Sequence, residues 1–284
     1  MKLLSVIHYP VFGGPHNRNI RIAPLLRQAG IELTVLLPDE PGDAAERLRA
    51  AGVPVETLPL HRIRGSRRLA PHVALAGTFR REVDGIRSLI RKGGFDVVLI
   101  NGLVNPHAGI AGSREGVGIV WQLLDTHHPQ VLRRVLMPLV GSRSDVVMST
   151  GTAVAAAHPG ALALGDRLVT FFPAVDFDLF APSEERRLAA RAELGLGEDD
   201  VVVGNVANLN PMKDHRNFVR AAARVHERRP DVRFVILGAQ YAHRASYVQE
   251  LIAEASSLET AGEGDVYAGY LVLPPYPQAH SPSP

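Results

Sequence analysis

The sequence predicts an α/β protein in which helices cover both faces of a parallel β-sheet. Short apolar runs alternate along the 284 residues with longer segments of helical periodicity, as in successive βαβ units. The run VVLI at residues 97–100 is apolar at every position, which is typical of a strand buried on both sides. At roughly 100–200 residues per domain, the length corresponds to one large or two ordinary domains.

The first part of the chain contains seven predicted strands with helices between them. The strands are expected at residues 3–8, 32–37, 55–58, 97–101, 119–124, 146–149 and 168–172. A helix over residues 17–29 is expected to end at Gly30, because glycine adopts the left-handed conformation of a helix C-terminus without steric cost. A second helix over residues 71–92 is expected to end in the same way at Gly93 and Gly94.

A change in composition marks a domain boundary near residue 180. The stretch FFPAVDFDLFAP, with its two prolines, precedes a charged helix and an acidic turn. We therefore expect a Rossmann-like domain over residues 1–180 and a partial Rossmann-like domain over residues 181–270. The strands of the second domain are predicted at residues 201–206, 233–237 and 266–268, and its helices at residues 215–228 and 245–257. A proline-rich tail at residues 271–284 cannot continue a helix or a central strand.

The composition excludes several classes of protein. Every apolar run is far shorter than the roughly 20 residues that a membrane-spanning helix needs. The absence of cysteine excludes disulfides, thiolate catalysis and cysteine-based metal sites, and it fits the reducing environment of the cytoplasm. A net charge of +2 gives no support for nucleic acid as a partner. We expect no metal site, because the side chains of adjacent His127 and His128 diverge and no third ligand matches them.

A glycine pair follows the first predicted strand. Gly13 and Gly14 lead directly into a helix, so their backbone amides can approach a ligand closely while the helix N-terminus favours an anion. This loop is a candidate phosphate site, and its alternative is an ordinary glycine turn between strand and helix. The pattern is not G-x-G-x-x-G, which argues against a dinucleotide as the ligand.

A second strand-to-helix loop contains Asn208 and Lys213. A lysine in such a loop can neutralise charge on a phosphate leaving group. Together with the glycine loop, this region resembles the family 4 glycosyltransferases of the GT-B fold, whose second domain typically opens with a strand, an arginine and a lysine five residues later. Lys213 matches that lysine, whereas Asn208 takes the place of the arginine.

Other stretches extend the resemblance over most of the chain. PAVDFDLFAP resembles the interdomain linker of the family, with Ala174 in place of a glycine, and Gly238 ends a strand as in the family. The resemblance implies retaining transfer of a sugar from a nucleoside-diphosphate sugar to an acceptor hydroxyl, with no metal and no cofactor beyond the nucleotide sugar. It also implies that the first domain faces the acceptor and the second the donor. Donor phosphates would contact Gly13, Gly14, Asn208 and Lys213.

The resemblance also indicates where sugar and acceptor would bind. Family members often have a histidine that faces the donor sugar at the end of the fifth strand, and here Asp125 or His127 could supply that polar contact. The alternative is that Asp125 caps a turn and that His127 is a solvated loop residue. Asn17, Arg18 and Asn101 are the candidate acceptor contacts.

An arginine cluster lies between the third strand and the long helix. It comprises Arg62, Arg64, Arg67 and Arg68, followed by Arg80 and Arg81. Such a cluster can attract an anionic membrane surface, and similar glycosyltransferases often act there on lipid-linked acceptors. This suggests a cytoplasmic protein with peripheral contact to the inner membrane face and a lipid-linked or saccharide acceptor. The alternative is a solvated arginine-rich face.

One segment of the family pattern has no match. Family members carry a Glu-x7-Glu segment further along the second domain, which contacts the donor sugar and the ribose, and the given sequence reaches its proline-rich tail without it. We therefore expect a C-terminally truncated relative whose transfer activity is impaired. Two alternatives stay open: a non-catalytic glycosyltransferase remnant that only binds, and a GT-B sugar-nucleotide epimerase, whose carboxylates and histidines are poorly matched here.

Overall fold

The computed structural model describes residues 1–61, 70–238, 245–259 and 269–271. The chain divides into two compact units, Met1–Phe180 and Ala181–Pro284. Both units consist of parallel strands that alternate with helices, so the predicted α/β class is confirmed.

The first unit contains a seven-stranded parallel sheet in the order β3-β2-β1-β4-β5-β6-β7. Its strands are β1 Lys2–Ile7, β2 Glu32–Pro38, β3 Val55–Leu58, β4 Val97–Asn101, β5 Gly118–Leu123, β6 Val146–Ser149 and β7 Leu168–Thr170. Its helices are α1 Gly14–Gln28, α2 Ala44–Ala50, α3 Ala70–Gly93, α4 Pro106–Glu115, α5 Gln130–Arg143 and α6 Thr152–Ala157. Each of the seven predicted strands of this unit is present, with ends that differ by at most two residues.

The strand order reverses between β1 and β4. Strand β1 pairs with β2 on one side, where Val6 lies opposite Leu36, and with β4 on the other, where Ile7 lies opposite Asn101. In open α/β sheets, ligands bind in the crevice beyond the carboxyl ends of the strands at such a reversal point. The topology therefore directs attention to the residues around Asn101.

Apolar side chains form a core on each face of this sheet. The core on one face includes Leu4, Val6, Ile100 and Trp121, and the core on the other includes Leu3, Ile7, Val35 and Leu37. Because the side chains of one strand point alternately to the two faces, strands buried on both sides need the continuous apolar runs seen in the sequence.

Gly30 forms the turn that terminates helix α1, as the sequence predicts. Gly30 has a positive φ of +73°, its N–H donates to the Arg27 carbonyl at 3.0 Å, and the Ile31 N–H donates to the Leu26 carbonyl at 2.8 Å. These two bonds satisfy carbonyls that the helix itself leaves without partners. The chain then enters β2 at Glu32.

Close packing of α4 on β5 depends on Gly109. A Cβ atom at this position would lie 2.4 Å from the ring of Trp121, which is fully buried. The Trp121 ring is fixed by its Nε1–H, which donates to the Gly102 carbonyl at 3.0 Å. Glycine at position 109 thus lets the helix backbone approach the indole.

The second unit contains a three-stranded parallel sheet in the order β10-β9-β8. Its strands are β8 Val201–Val206, β9 Val232–Leu237 and β10 Gly269–Leu271, and its helices are α7 Glu184–Glu193, α8 His215–His226 and α9 Ala245–Glu259. The predicted strand at residues 266–268 lies outside the described residues. Strand β10 extends one residue into the segment that the sequence assigns to the proline-rich tail.

Candidate functional site

The glycine loop between β1 and α1 is anchored to the start of α2. The Phe12 N–H donates to the Asp43 carboxylate at 2.8 Å, and the Pro10 carbonyl accepts from the Ala44 N–H at 3.0 Å. Gly42 passes so close that a Cβ there would lie 2.1 Å from the Pro10 oxygen. Partial burial raises the pKa of Asp43, but hydrogen bonds from Phe12 and Arg47 outweigh it and lower that pKa overall. The ionised carboxylate therefore suits its role as the acceptor that holds the loop.

His16 ties the loop to its own helix. The buried imidazole accepts the Gly13 N–H at Nδ1 over 3.1 Å, and its Nε2 lies 2.9 Å from the Tyr9 carbonyl. Because a carbonyl oxygen only accepts, Nε2 carries the proton and the ring is neutral. Burial lowers the pKa of His16, which favours this neutral form. The Gly13 amide is therefore engaged within the protein.

Packing and backbone conformation leave the choice of glycine at positions 13 and 14 unexplained. Neither residue has a positive φ, and a Cβ atom built at either would meet no described atom within 4 Å. Gly14 is the first residue of α1, and the next residue, Pro15, has no N–H. The space beside Gly14 is thus open toward the N-terminus of α1, where helices favour anions.

Arg18 joins the carboxyl ends of β4 and β5. Its Nη2 donates to the side-chain oxygen of Asn101 at 2.5 Å and also to that of Gln122. Asn101 is 1% exposed and ends β4, while Gln122 is 4% exposed and lies in β5. The structure therefore brings two of the predicted acceptor contacts, Arg18 and Asn101, into direct contact.

The guanidinium of Arg18 is partly withdrawn from water. It lies over the ring of Phe171, with Cζ 5.2 Å from the ring centroid, and its Nε is buried without a partner among the described residues. Burial lowers the pKa of Arg18 to about 10, so the group remains a cation at neutral pH.

Other residues around this cluster differ in how far the sequence indicates them. Asn17 is half-buried in the first turn of α1, and its backbone N–H donates to the Gly13 carbonyl at 3.1 Å. Gln122 and Phe171 are not among the site residues predicted from the sequence. Gln122 is the one amide side chain in the strand GIVWQL, a signal that was available. Phe171 follows β7, and no sequence pattern connects it with Arg18.

Asp125 and His127 form a turn after β5. The Asp125 carboxylate accepts the His127 N–H at 3.1 Å, and the His127 side chain is exposed. Neighbouring His128 is half-buried, and burial lowers its pKa. This local bond fits the alternative in which Asp125 caps a turn, and a role for either residue toward a sugar stays a prediction.

The second unit presents Asn208 and Lys213 on the loop after β8. Both side chains are exposed, and Lys213 ends a short 3₁₀ turn that is capped by Asn210, whose side-chain oxygen accepts the Met212 N–H at 2.8 Å. A Cβ atom at Gly238 would lie 1.8 Å from the Ala207 carbonyl oxygen, so the end of β9 passes directly against this loop. The loop thus has a defined backbone, although both candidate side chains reach solvent.

Only part of the arginine cluster lies within the described residues. Arg62, Arg64, Arg67 and Arg68 lie outside the described residues, whereas Arg80 and Arg81 are exposed on α3. Within the described part of the chain, no helix is both long and apolar enough to cross a membrane. The same residues contain no group of three histidine, aspartate or glutamate side chains that could hold a metal ion.

Comparison with known proteins gives sequence matches over part of the chain. No protein-family model matches it. A segment of 61 residues is 41% identical to the D-inositol 3-phosphate glycosyltransferase of Kribbella flavida and covers 22% of this chain and 14% of that protein. A segment of 165 residues is 28% identical to the GDP-mannose-dependent alpha-(1-6)-phosphatidylinositol monomannoside mannosyltransferase of Mycolicibacterium smegmatis, covering 56% of this chain and 40% of that protein. The matches thus span less than half of either relative.

Solved structures match over nearly the whole chain. The crystal structure of Anabaena HepE in complex with UDP has a TM-score of 0.68 and 22% sequence identity, and the match covers 91% of this chain and 66% of HepE. UDP-GlcNAc 2-epimerase from Neisseria meningitidis, bound to UDP-GlcNAc, has a TM-score of 0.59 and 12% identity, with 97% of this chain and 73% of the epimerase covered. At these identities the likeness establishes the fold. The predicted GT-B-like fold and the resemblance to glycosyltransferases are confirmed.

Proposed function

We propose that this chain, a relative of the GT-B glycosyltransferases, transfers a sugar from a nucleoside diphosphate to an acceptor hydroxyl with retention of anomeric configuration. The observation that carries the proposal is the pair Gly13 and Gly14, which neither positive φ nor contact with described atoms requires to be glycine. Glycine at the start of a helix lets an oxyanion reach the backbone amides. We therefore assign the loop to the donor phosphates.

The chemistry of the transfer explains which groups are needed. As the bond between the anomeric carbon and the phosphate oxygen breaks, negative charge accumulates on the leaving diphosphate. In the first unit, we assign the Gly14 amide to that charge, because the Gly13 amide already bonds to His16. For the second unit, taken by itself, we assign the Lys213 ammonium and the Asn208 amide to phosphate binding. These donors act without a metal ion or a further cofactor.

The acceptor side of the proposal lies in the first unit. Asn101 ends β4 next to the reversal of strand order, where α/β sheets bind ligands, and the Arg18 side chain reaches it from α1. Asn17 is on the same helix as Arg18. We propose that these three residues form the acceptor side, with Asn17 and Arg18 in contact with the acceptor and buried Asn101 positioning Arg18, and that Asp125 or His127 contacts the donor sugar. Replacement of Asp125 by Asn should then reduce turnover while the affinity for the nucleotide stays within about twofold.

Titration calorimetry on the 284-residue chain tests the proposal. We expect UDP, GDP, UDP-glucose or GDP-mannose to bind, and Lys213→Gln to weaken binding by about tenfold to hundredfold, the loss expected for a hydrogen bond to a charged group. Lys92→Gln is the matched control, since Lys92 is an exposed lysine at the end of α3. The proposal is wrong if none of the four nucleotides binds, or if the two variants behave alike.

Product analysis separates the remaining functions. Release of nucleoside diphosphate together with a retained anomer indicates transfer, whereas inversion at sugar C2 with the nucleotide still attached indicates an epimerase. The structural likeness to UDP-GlcNAc 2-epimerase makes this second candidate worth testing. Nucleotide binding without turnover of either kind would identify the chain as a binding module.

We also propose a cytoplasmic location with peripheral contact to the inner membrane face. The arginine-rich segment supports it, because each basic residue near an anionic surface contributes about 1 kcal/mol of binding. Binding to vesicles should require anionic lipid and should fall as salt rises. Simultaneous replacement of Arg64, Arg67 and Arg68 by Ser should abolish it, and unchanged vesicle binding by that variant would refute the contact.

A further inference from the structure

Arg18 is a partly buried cation whose partners among the described residues are all neutral. Its Nη2 donates to two amide oxygens, and the ring of Phe171 covers the guanidinium. Among the described residues, no carboxylate forms an ion pair with it, and burial is the one effect that shifts its pKa. Charged groups that leave water are normally paired with an opposite charge, because desolvation is otherwise uncompensated. Within the described part of the chain, the first unit therefore holds a positive charge without a counter-ion.

The two amides are oriented so that they cannot replace that counter-ion. Both Nδ2 hydrogens of Asn101 are used, one toward the Ser5 hydroxyl at 2.9 Å and one toward the Val6 carbonyl at 3.1 Å. Its oxygen must therefore face Arg18. The Gln122 Nε2 lies 3.8 Å from the Met148 sulfur, which likewise directs its oxygen to the guanidinium. These oxygens fix the position of the cation but carry no charge.

Donor capacity remains on the guanidinium after these bonds. A guanidinium has five N–H donors, of which the two on Nη2 are used by Asn101 and Gln122. Within the described residues, Nη1 forms no hydrogen bond and is not among the buried atoms, whereas Nε is buried without a partner. The group lies beside the carboxyl end of β4, at the reversal of strand order, where a ligand would bind.

We propose that Arg18 binds an oxyanion carried by the acceptor, so that the acceptor is an anionic molecule with a phosphate or carboxylate group rather than a neutral saccharide. That the bound molecule is the acceptor rests on the proposed function. That Arg18 binds an oxyanion rests on the geometry alone. A guanidinium donates to carboxylates and phosphates through charge-assisted hydrogen bonds, which are about twice as strong as neutral ones. A neutral hydroxyl needs no buried cation.

Titration of inorganic phosphate and of acetate, at constant ionic strength and in the presence of saturating UDP, tests the proposal. UDP fills the donor phosphate site, so any remaining anion binding is separate from it. We expect one of the two anions to bind, and Arg18→Gln to weaken it by at least about tenfold, as expected for a lost charge-assisted hydrogen bond. The anion that binds more tightly indicates whether the acceptor carries a phosphate or a carboxylate group. Arg27→Gln is the matched control, an exposed arginine on the same helix.

A second readout keeps the test decisive if Arg18→Gln fails to fold. In the wild-type chain, the NMR signal of the Arg18 Nε–H, identified by its loss in Arg18→Lys, should shift on addition of the anion. The proposal is overturned if that signal does not move, if neither anion binds, or if Arg18→Gln loses UDP affinity together with phosphate affinity. Failure of UDP itself to bind would instead refute the donor site, and the anion titration can then be read without UDP.

Discussion

Replacement of Gly14 by Ala separates a ligand role of the glycine loop from a structural one. Gly14 is the first residue of α1, and a Cβ atom there would meet no described atom within 4 Å. Alanine is favoured over glycine in helices by up to about 1 kcal/mol, so the free energy of unfolding should stay unchanged or rise by that amount. The affinity for UDP or GDP should nevertheless fall by about tenfold to hundredfold, because the methyl group keeps a phosphate oxygen from the amide.

Gly77→Ala is the matched control for this measurement. Gly77 is an exposed glycine within α3, and a Cβ atom there would also meet no described atom within 4 Å. Urea unfolding should show a similar small gain for both variants, and calorimetry should show lost nucleotide affinity for Gly14→Ala alone. Equal affinities in the two variants would refute the phosphate role of the loop. A loss of more than about 1 kcal/mol of stability in Gly14→Ala would show that the glycine is structural.

Two further predictions concern stability. Gly109→Ala should lower the free energy of unfolding by about 1–3 kcal/mol, because the new Cβ would lie 2.4 Å from the Trp121 ring. Urea unfolding measures this change. A free energy of unfolding equal to that of Gly77→Ala would contradict it. His107 is buried with neither ring nitrogen bonded to a described group, and burial lowers its pKa to about 4. The unfolded chain therefore binds the proton more readily, so stability should be lost as pH falls from about 6.5 to about 4. His107→Leu should lose less stability over this range, and identical pH profiles of both proteins would count against the assignment.

The sheet could be predicted from the sequence because both faces of its strands are buried. The continuous apolar run VVLI predicts β4 with the bounds that the structure shows, and Gly30 marks the end of α1. The predicted strand at residues 266–268 lies outside the described residues, so the sheet of the second unit can be compared with the prediction only at β8 and β9.

The candidate site could be predicted only in part. The glycine loop and Arg18 lie near one another in sequence, so a local pattern indicates both. Contact between Arg18 and Asn101 spans 83 residues and depends on the order of strands, which no local pattern specifies. The hydrogen bond from the Gly13 N–H to His16 could not be predicted from the glycine pattern either, since it depends on the tautomer of the imidazole.

Because the Phe12 N–H donates to Asp43, the position of the candidate phosphate loop depends on helix α2, even if α2 itself contacts no ligand. Helix α2 holds its position through buried Leu48, and it carries Asp43 at its start. A substitution in the core beneath α2 would therefore shift the carboxylate, release the Phe12 amide and alter the approach to α1. A random mutagenesis screen for weakened nucleotide binding should consequently yield substitutions in α2 as well as in the loop. A higher nucleotide concentration should restore binding in these variants.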